Sequence, residues 1–130
     1  MSGENVQIVR RGFEAFTRGD VSALADLGDP DIVSCVHPRG NATYNGIEGA
    51  LQMIADWVED FDEFEARPEE YFDAGDGVVV LVRQRARGKG SGVPVEEDWW
   101  FAFRLRDGKA VRWDIFNKKE EAFEAVGASR

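Results

Sequence analysis

Between Asp98 and Arg106 the chain alternates strictly. Trp99, Phe101, Phe103 and Leu105 fall on one side, and Asp98, Trp100, Ala102, Arg104 and Arg106 on the other, the period-two pattern of a half-buried strand. Asp107-Gly108 follows, a pair that tolerates positive φ at both centres of a tight hairpin turn. A second strand is predicted to Phe116, with Val111, Trp113 and Ile115 on one face and Arg112, Asp114 and Phe116 on the other. Three of the four tryptophans lie in this hairpin, so its apolar face must cover a large core, with helices as the opposite wall. Upstream, Val78 to Gly88 reads as another strand, with Val78, Val80, Val82 and Gln84 sharing a face and Leu81, Arg83 and Arg85 opposite. Phe64 to Asp73 reads as a strand in which Pro68 marks an edge or a bulge. Ala74 to Gly77 is a turn, Gly88 to Gly92 a flexible connection, and Val93 opens the long strand that leads into the hairpin.

The first half has the helical period instead. Val6, Val9, Phe13 and Phe16 recur at spacings of three and four within Asn5 to Arg18, and Gly19-Asp20 ends that helix. Val21 to Leu27 is a short second helix stopped by Gly28-Asp29-Pro30. Ile32 to His37 is a short strand ended by Pro38, and Arg39 to Gly46 is a loop of turn formers. Ile47 to about Glu59 is a third helix with Ile47, Leu51, Ile54 and Trp57/Val58 inward, and Glu120 to Val126 adds a last helical turn or two. Helices first and antiparallel strands after make an α+β fold, the helices gathered on one face of a curved sheet.

Composition narrows the function classes. A chain of 130 residues with 43% hydrophobic and 12% aromatic content is expected to be one domain, residues 1–130, with a core of its own. No apolar run reaches membrane-spanning length and the first residues do not read as a signal peptide, so a cytoplasmic location without membrane contact is expected. Cys35 is the only cysteine and His37 the only histidine, which argues against a disulfide and against zinc chemistry. The net charge of −9 disfavours nucleic acid as a partner. The segment from Asp56 to Asp76, where Arg67 is the only base, alone carries −9 and the rest of the chain balances; a solvated face explains it, and a docking face for a basic partner is the sharper alternative. Arg83, Arg85 and Arg87 alternate and are expected to pair with acids on neighbouring strands.

These features occur in an order that resembles a known family. A helix ending in Gly19-Asp20, a strand reaching His37-Pro38, Tyr44-Asn45-Gly46 opening a helix with Trp57, then Gly75-Asp76-Gly77-Val78-Val79-Val80, the Gly88 to Val93 link, and Asp107-Gly108-Lys109 before a last strand resemble the SnoaL-like branch of the NTF2-like superfamily. The resemblance implies a ketosteroid isomerase-like, cone-shaped half-barrel, with three N-terminal helices on a strongly curved, mostly antiparallel sheet. It implies a pocket for a small hydrophobic, even polycyclic, ligand and a homodimer through the convex sheet face, where Trp100, Ala102 and Phe116 make the surface more apolar than a solvated face needs. The superfamily includes isomerases, cyclases, hydrolases and non-catalytic binders, so the site must be argued by residue.

In the ketosteroid isomerase branch a carboxylate base precedes a proline at the end of the short strand. His37 before Pro38 occupies that place here, and an imidazole is a competent proton-transfer group. The oxyanion donors of that branch fall at Gly12 and Phe101, so steroid isomerisation is not expected; losing one such donor costs about 3 kcal/mol of transition-state stabilisation. Alternation places Val33, Cys35 and His37 inside the pocket, with Trp57 and Phe61 from the helix end. Val82 and Gln84 join from one strand, and Trp99, Phe101 and Trp113 from the hairpin. Tyr44 is a ligand-contact candidate at the mouth. Asp114 alternates outward and becomes a catalytic acid only if the register slips by one. No Gly-rich phosphate loop sits between a strand and a helix, so no cofactor is implied. The competing readings are a cofactor-independent isomerase, cyclase or hydrolase using His37, and a non-catalytic ligand-binding or interaction homodimer.

Overall fold

The chain runs α1 (Ser2–Arg18), α2 (Val21–Asp26), β1 (Gly28–Val36), a 3-10 turn (His37–Arg39), β2 (Ala42–Asn45), α3 (Gly46–Glu59), β3 (Phe61–Asp73), β4 (Gly77–Gly88), β5 (Pro94–Arg106), β6 (Lys109–Phe116) and α4 (Lys119–Ala125). This computed structural model describes residues 2–127; residue 1 and residues 128–130 of the expected domain lie outside it. The six strands form one curved, unclosed sheet in the order β2-β1-β6-β5-β4-β3. Every neighbouring pair is antiparallel except β1 and β6, which are parallel.

The hairpin that anchors the sequence reading forms as expected. Asp107 and Gly108 take φ of 54° and 78°, the two positive values that a primed turn demands. Beyond it Phe101 pairs with Ile115 and Phe103 with Trp113, so the large side chains of both strands share the concave face. Val78, Val80, Val82, Trp99 and Phe101 pack there with Val9 of α1 and Met53 and Trp57 of α3. β3 is an edge strand, and its register shifts between Pro68 and Glu70; Pro68, with no N–H to give the ladder, sits at both of the places foreseen for it.

Three expectations change. Residues 42–45, read as loop, form β2 against β1. β1 begins at Gly28 rather than Ile32, and its register shifts between Gly28 and Val33. As a result Ile32 and Val36 turn into the concave core, while Val33, Cys35 and His37 project from the opposite face, the reverse of the inward placement expected from alternation. A one-residue change in register moves every side chain to the other face. The third change concerns the convex face, where Val79, Ala102 and Phe116 are covered by Ala122, Phe123 and Val126 of α4 and its end. Much of the apolar surface that suggested a homodimer is thus buried within the chain.

The charged rows pair as expected, Arg83 with Asp98 at 3.0 Å, Arg85 with Glu96 at 3.3 Å and Arg87 with Glu63 at 3.4 Å. All are solvent-exposed, so water and salt screen them and each contributes little to stability. Among the described residues no helix is long and apolar enough to cross a membrane.

Candidate functional site

Helices α1, α2 and α3 do not close completely on the concave sheet. Between them lies a half-open cavity of about 150 Å³. The amphipathic spacing of α1 brings Ile8, Gly12, Phe13 and Phe16 to its wall, and α3 contributes Ile47, Leu51, Ile54 and Trp57. The sheet side is made by Val82, Gln84, Trp99, Phe101, Trp113 and Ile115. Gly12 matters here because a larger residue would occupy the space: an added Cβ would already stand 3.7 Å from a Leu27 methyl.

Gln84 is the one polar side chain on an otherwise apolar strand face, and it is 1% exposed. Its Oε1 accepts the indole N–H of Trp57 at 2.9 Å and that of Trp99 at 3.0 Å. An indole nitrogen only donates, so two of them converging on one atom fix that atom as the oxygen and settle the amide orientation. Nε2 must then point away, and it has no hydrogen-bond partner. Trp113 Nε1 and Ser34 Oγ are the other buried side-chain polar atoms without partners among the described residues. Trp113 also lines the cavity, whereas Ser34, its register neighbour across β1 and β6, does not. Leaving a buried donor unpaired costs about 1–3 kcal/mol; both nitrogens are closed off within the packing around the cavity rather than exposed at its surface.

The other sequence-derived candidates are placed differently. Of the expected ligand contacts, Trp57, Val82, Gln84, Trp99, Phe101 and Trp113 line the cavity. Phe61 packs against the core beside it without lining it. Tyr44 donates its hydroxyl to Asp56 at 3.0 Å, bridging β2 to α3; burial and that bond raise its pKa above the usual phenol value. Cys35, 3% exposed, faces away from the cavity, because Cys35 pairs with Asp114 and Thr43 on the convex side.

His37 and Asp114 do meet, on that same far side. His37 Nε2 lies 2.8 Å from Asp114 Oδ1, and Nδ1 lies 2.9 Å from Asn41 Oδ1. The imidazole stacks on Phe116 with ring centres 4.3 Å apart. Asp114, 3% exposed, also receives Arg112 through Nε at 2.8 Å and Nη2 at 3.0 Å, a bidentate pair of the strong kind. The bonds to Asp114 raise the Arg112 pKa above its usual value. Asp114 is therefore buried by convex-face packing with its alternation intact, rather than turned inward by a slip. Cys35, His37 and Asp114 bring their donor atoms within 4.8 Å of one another, a spacing suited to a cation. The Arg112 guanidinium already fixed on both carboxylate oxygens puts positive charge at the same point, so the cluster reads as an ion-paired staple that ties the 3-10 turn to β6.

With this geometry in view, the profile of the SnoaL-like domain matches residues 9–113. The chain belongs to the SnoaL-like domain family. A search of curated proteins finds no match. Among solved structures, this SnoaL-like protein is similar to a putative SnoaL-like polyketide cyclase from Jannaschia, at 26% identity and TM-score 0.79, covering 98% of this chain and 94% of that one. It is similar to a putative polyketide cyclase from Sinorhizobium meliloti, at 26% identity and TM-score 0.71 over 88% and 98% of the two chains. A Catenulispora acidiphila protein with a ketosteroid isomerase-like fold matches at 20% identity and TM-score 0.74, over 94% and 93%; that likeness concerns the fold.

What sequence reasoning missed is the helical side of the cavity and the orphaned donors. The inward residues of α1 to α3 are legible in their spacing, but spacing does not say where packing stops short. The pairing of Gln84 with two indoles had a signal in the lone amide among Val78, Val80 and Val82, facing a tryptophan-rich hairpin.

Proposed function

We propose that this SnoaL-like protein holds a small hydrophobic molecule in the cavity between its helices and its concave sheet. One observation carries the reading: among the described residues the cavity is lined by apolar and aromatic side chains and by Gln84, with no ionisable group. A cavity of about 150 Å³ is of the size that accepts a benzene-like molecule, and it is smaller than the roughly 300–1,000 Å³ of pockets for larger ligands. A polycyclic occupant therefore requires α1 and α2 to move outward. Two of the similar structures are described as putative polyketide cyclases, which supports a hydrophobic class of ligand.

Of the two readings, non-catalytic binding fits the cavity better than acid–base catalysis. His37 is the expected proton-transfer residue, but it lies across the sheet, and both of its ring nitrogens already face partners. A base without a free nitrogen must first lose Asn41 or Asp114 to reach a substrate. The expected homodimer is retained as a proposal for the part of the convex face left half-open at Leu81 and Trp100, and size-exclusion chromatography with light scattering tests it. The ligand reading is tested by thermal melts with toluene. An occupant of the native cavity raises Tm, and Gly12→Leu, which fills the space while suiting a helix, is expected to abolish that rise. A wild-type Tm indifferent to toluene contradicts the reading.

A further inference from the structure

Three helices roof the cavity, and they are not held alike. α1 buries Val9 and Ala15. Its Phe13 stacks on Phe101 with ring centres 5.9 Å apart and meets Tyr71 edge-on at 6.2 Å, and Arg10 lies 4.4 Å over the Tyr71 ring. α3 buries Ala50, Met53 and Trp57, and it is bonded to the sheet by Trp57 to Gln84 and by Tyr44 to Asp56. α2 buries no residue, although Leu24, Ala25 and the capping Leu27 stand in the cavity wall. Its N-cap bond is internal, Asp20 accepting from the Ala23 N–H at 3.0 Å. Among the described residues, the hydrogen bonds that reach α2 and its C-cap from elsewhere come from two adjacent residues of β6. The Ala110 N–H donates to the Leu27 carbonyl at 3.0 Å, and Lys109 Nζ donates to the Asp26 carbonyl, one of the end carbonyls that a helix leaves without an internal partner. Both ends of the segment can turn. Gly19 has φ of 71° with open space around it, and the β1 register shifts between Gly28 and Val33, so the ladder is interrupted where α2 joins the sheet.

We infer that α2 is the flap of this cavity: it swings outward between Gly19 and the interrupted start of β1 to pass a ligand, and Lys109 is the latch that holds it down. This rests on the cavity being the ligand site. A segment that buries little apolar surface opens at low free energy, and the elements that admit ligands are drawn from that end of the range. Opening α2 disturbs neither the Phe13 stack nor the bond from Trp57 to Gln84. Displacing α1 or α3 breaks one or the other, so α2 yields first. The hinge positions then absorb the backbone change at the two ends of a rigid piece. The latch is made in the closed form whether the cavity is empty or filled. Weakening it therefore raises entry and exit rates together and leaves affinity nearly unchanged, whereas a change in a wall residue alters affinity itself.

The test follows toluene binding to the full chain by stopped-flow tryptophan fluorescence, since Trp57, Trp99 and Trp113 line the cavity, with Kd from calorimetry. Lys109→Met keeps an aliphatic stem on an exposed residue and loses the donor. It is expected to raise kon and koff together, each at least about twofold, the scale of one lost hydrogen bond, with Kd unchanged within about twofold. Lys109→Arg, which retains a donor, is expected to keep the wild-type rates. Hydrogen exchange reads the same motion without any ligand. The backbone amides of Leu24 and Ala25 are expected to exchange faster than those of Val9 and Met53, and Lys109→Met is expected to speed the first pair alone. Rates unmoved in Lys109→Met, or α2 amides that exchange no faster than those of α1 and α3, overturn the flap and leave the cavity reading standing. Failure of toluene to bind the wild type overturns both.

Discussion

The two faces of the sheet hold the two polar clusters of this SnoaL-like protein, and they differ in whether their partners are complete. On the convex side Asp114, His37, Asn41 and Arg112 bond one another, and α4 and Phe116 pack beside them. On the concave side Gln84, Trp57 and Trp99 form a network that leaves Gln84 Nε2 over, with Trp113 Nε1 unpaired as well. The first cluster contains the residues that look catalytic by type, and the second contains only an amide and indoles. A completed network mainly stabilises the fold, whereas an incomplete one leaves buried donors unpaired at a cost to stability. The difference teaches that residues of catalytic type need not line the cavity.

The largest effect is expected at Gln84. Gln84→Leu removes the acceptor from two buried indoles, each worth about 1–3 kcal/mol when orphaned, so a loss of roughly 2–6 kcal/mol in chemical denaturation is predicted. A loss under about 1 kcal/mol would mean that the two indoles find other acceptors and that the concave network is not as drawn. His37→Ala should cost less, about 1–3 kcal/mol, because Arg112 remains on Asp114, and it should leave toluene binding unchanged. Gly12→Ala works the other way. Its Cβ meets only ordinary contact at 3.7 Å, and exchanging glycine for alanine in a helix stabilises by about 0.5–1 kcal/mol, so a rise in Tm of a few degrees is expected. Arg83→Ala, at an exposed pair with Asp98, should give the smallest change in stability of the set, and that change should vanish in high salt.

Alkali probes the concave side separately. Tyr44 and Tyr71 are the only tyrosines, and burial, foremost, raises the pKa of each. The fold therefore favours the neutral phenols. The stability they contribute is complete below the unfolded phenol value near 10 and is lost as pH rises through the higher folded values. Absorbance of phenolate near 295 nm should develop at higher pH in the folded chain than in urea. Coincidence of the two curves would show the tyrosines to be as hydrated as in the unfolded chain.

Much of this arrangement was legible in the sequence, and the exceptions have a common cause. Strict alternation oriented β4, β5 and most of β6 correctly, because each has one face far more apolar than the other, although a register shift at the start of β6 brings Ala110 rather than the expected Val111 to the cavity; Val78, Val80, Val82 and Gln84 are the clearest instance. β1 defeated the same reasoning. Its run Ile32-Val33-Ser34-Cys35-Val36 is buried from the concave side by the helices and bordered on the convex side by the Asp114 cluster, so apolar residues occur on both faces and the period carries no direction. The polar Ser34 then looked outward and Cys35 inward, when the reverse holds. α4 was legible as a helix from Glu120 to Val126, but nothing local specifies that it folds back on Val79, Ala102 and Phe116. The meeting of His37 with Asp114 spans 77 positions of sequence, and it follows from the parallel pairing of β1 with β6, which no local pattern records.

The most direct test of the assignment of function to the concave cavity is toluene affinity measured in parallel for wild type, Gly12→Leu and His37→Ala. The account predicts that Gly12→Leu abolishes binding while His37→Ala leaves Kd unchanged within about twofold. Binding that survives in Gly12→Leu and disappears in His37→Ala would place the site at the outer cluster and contradict it.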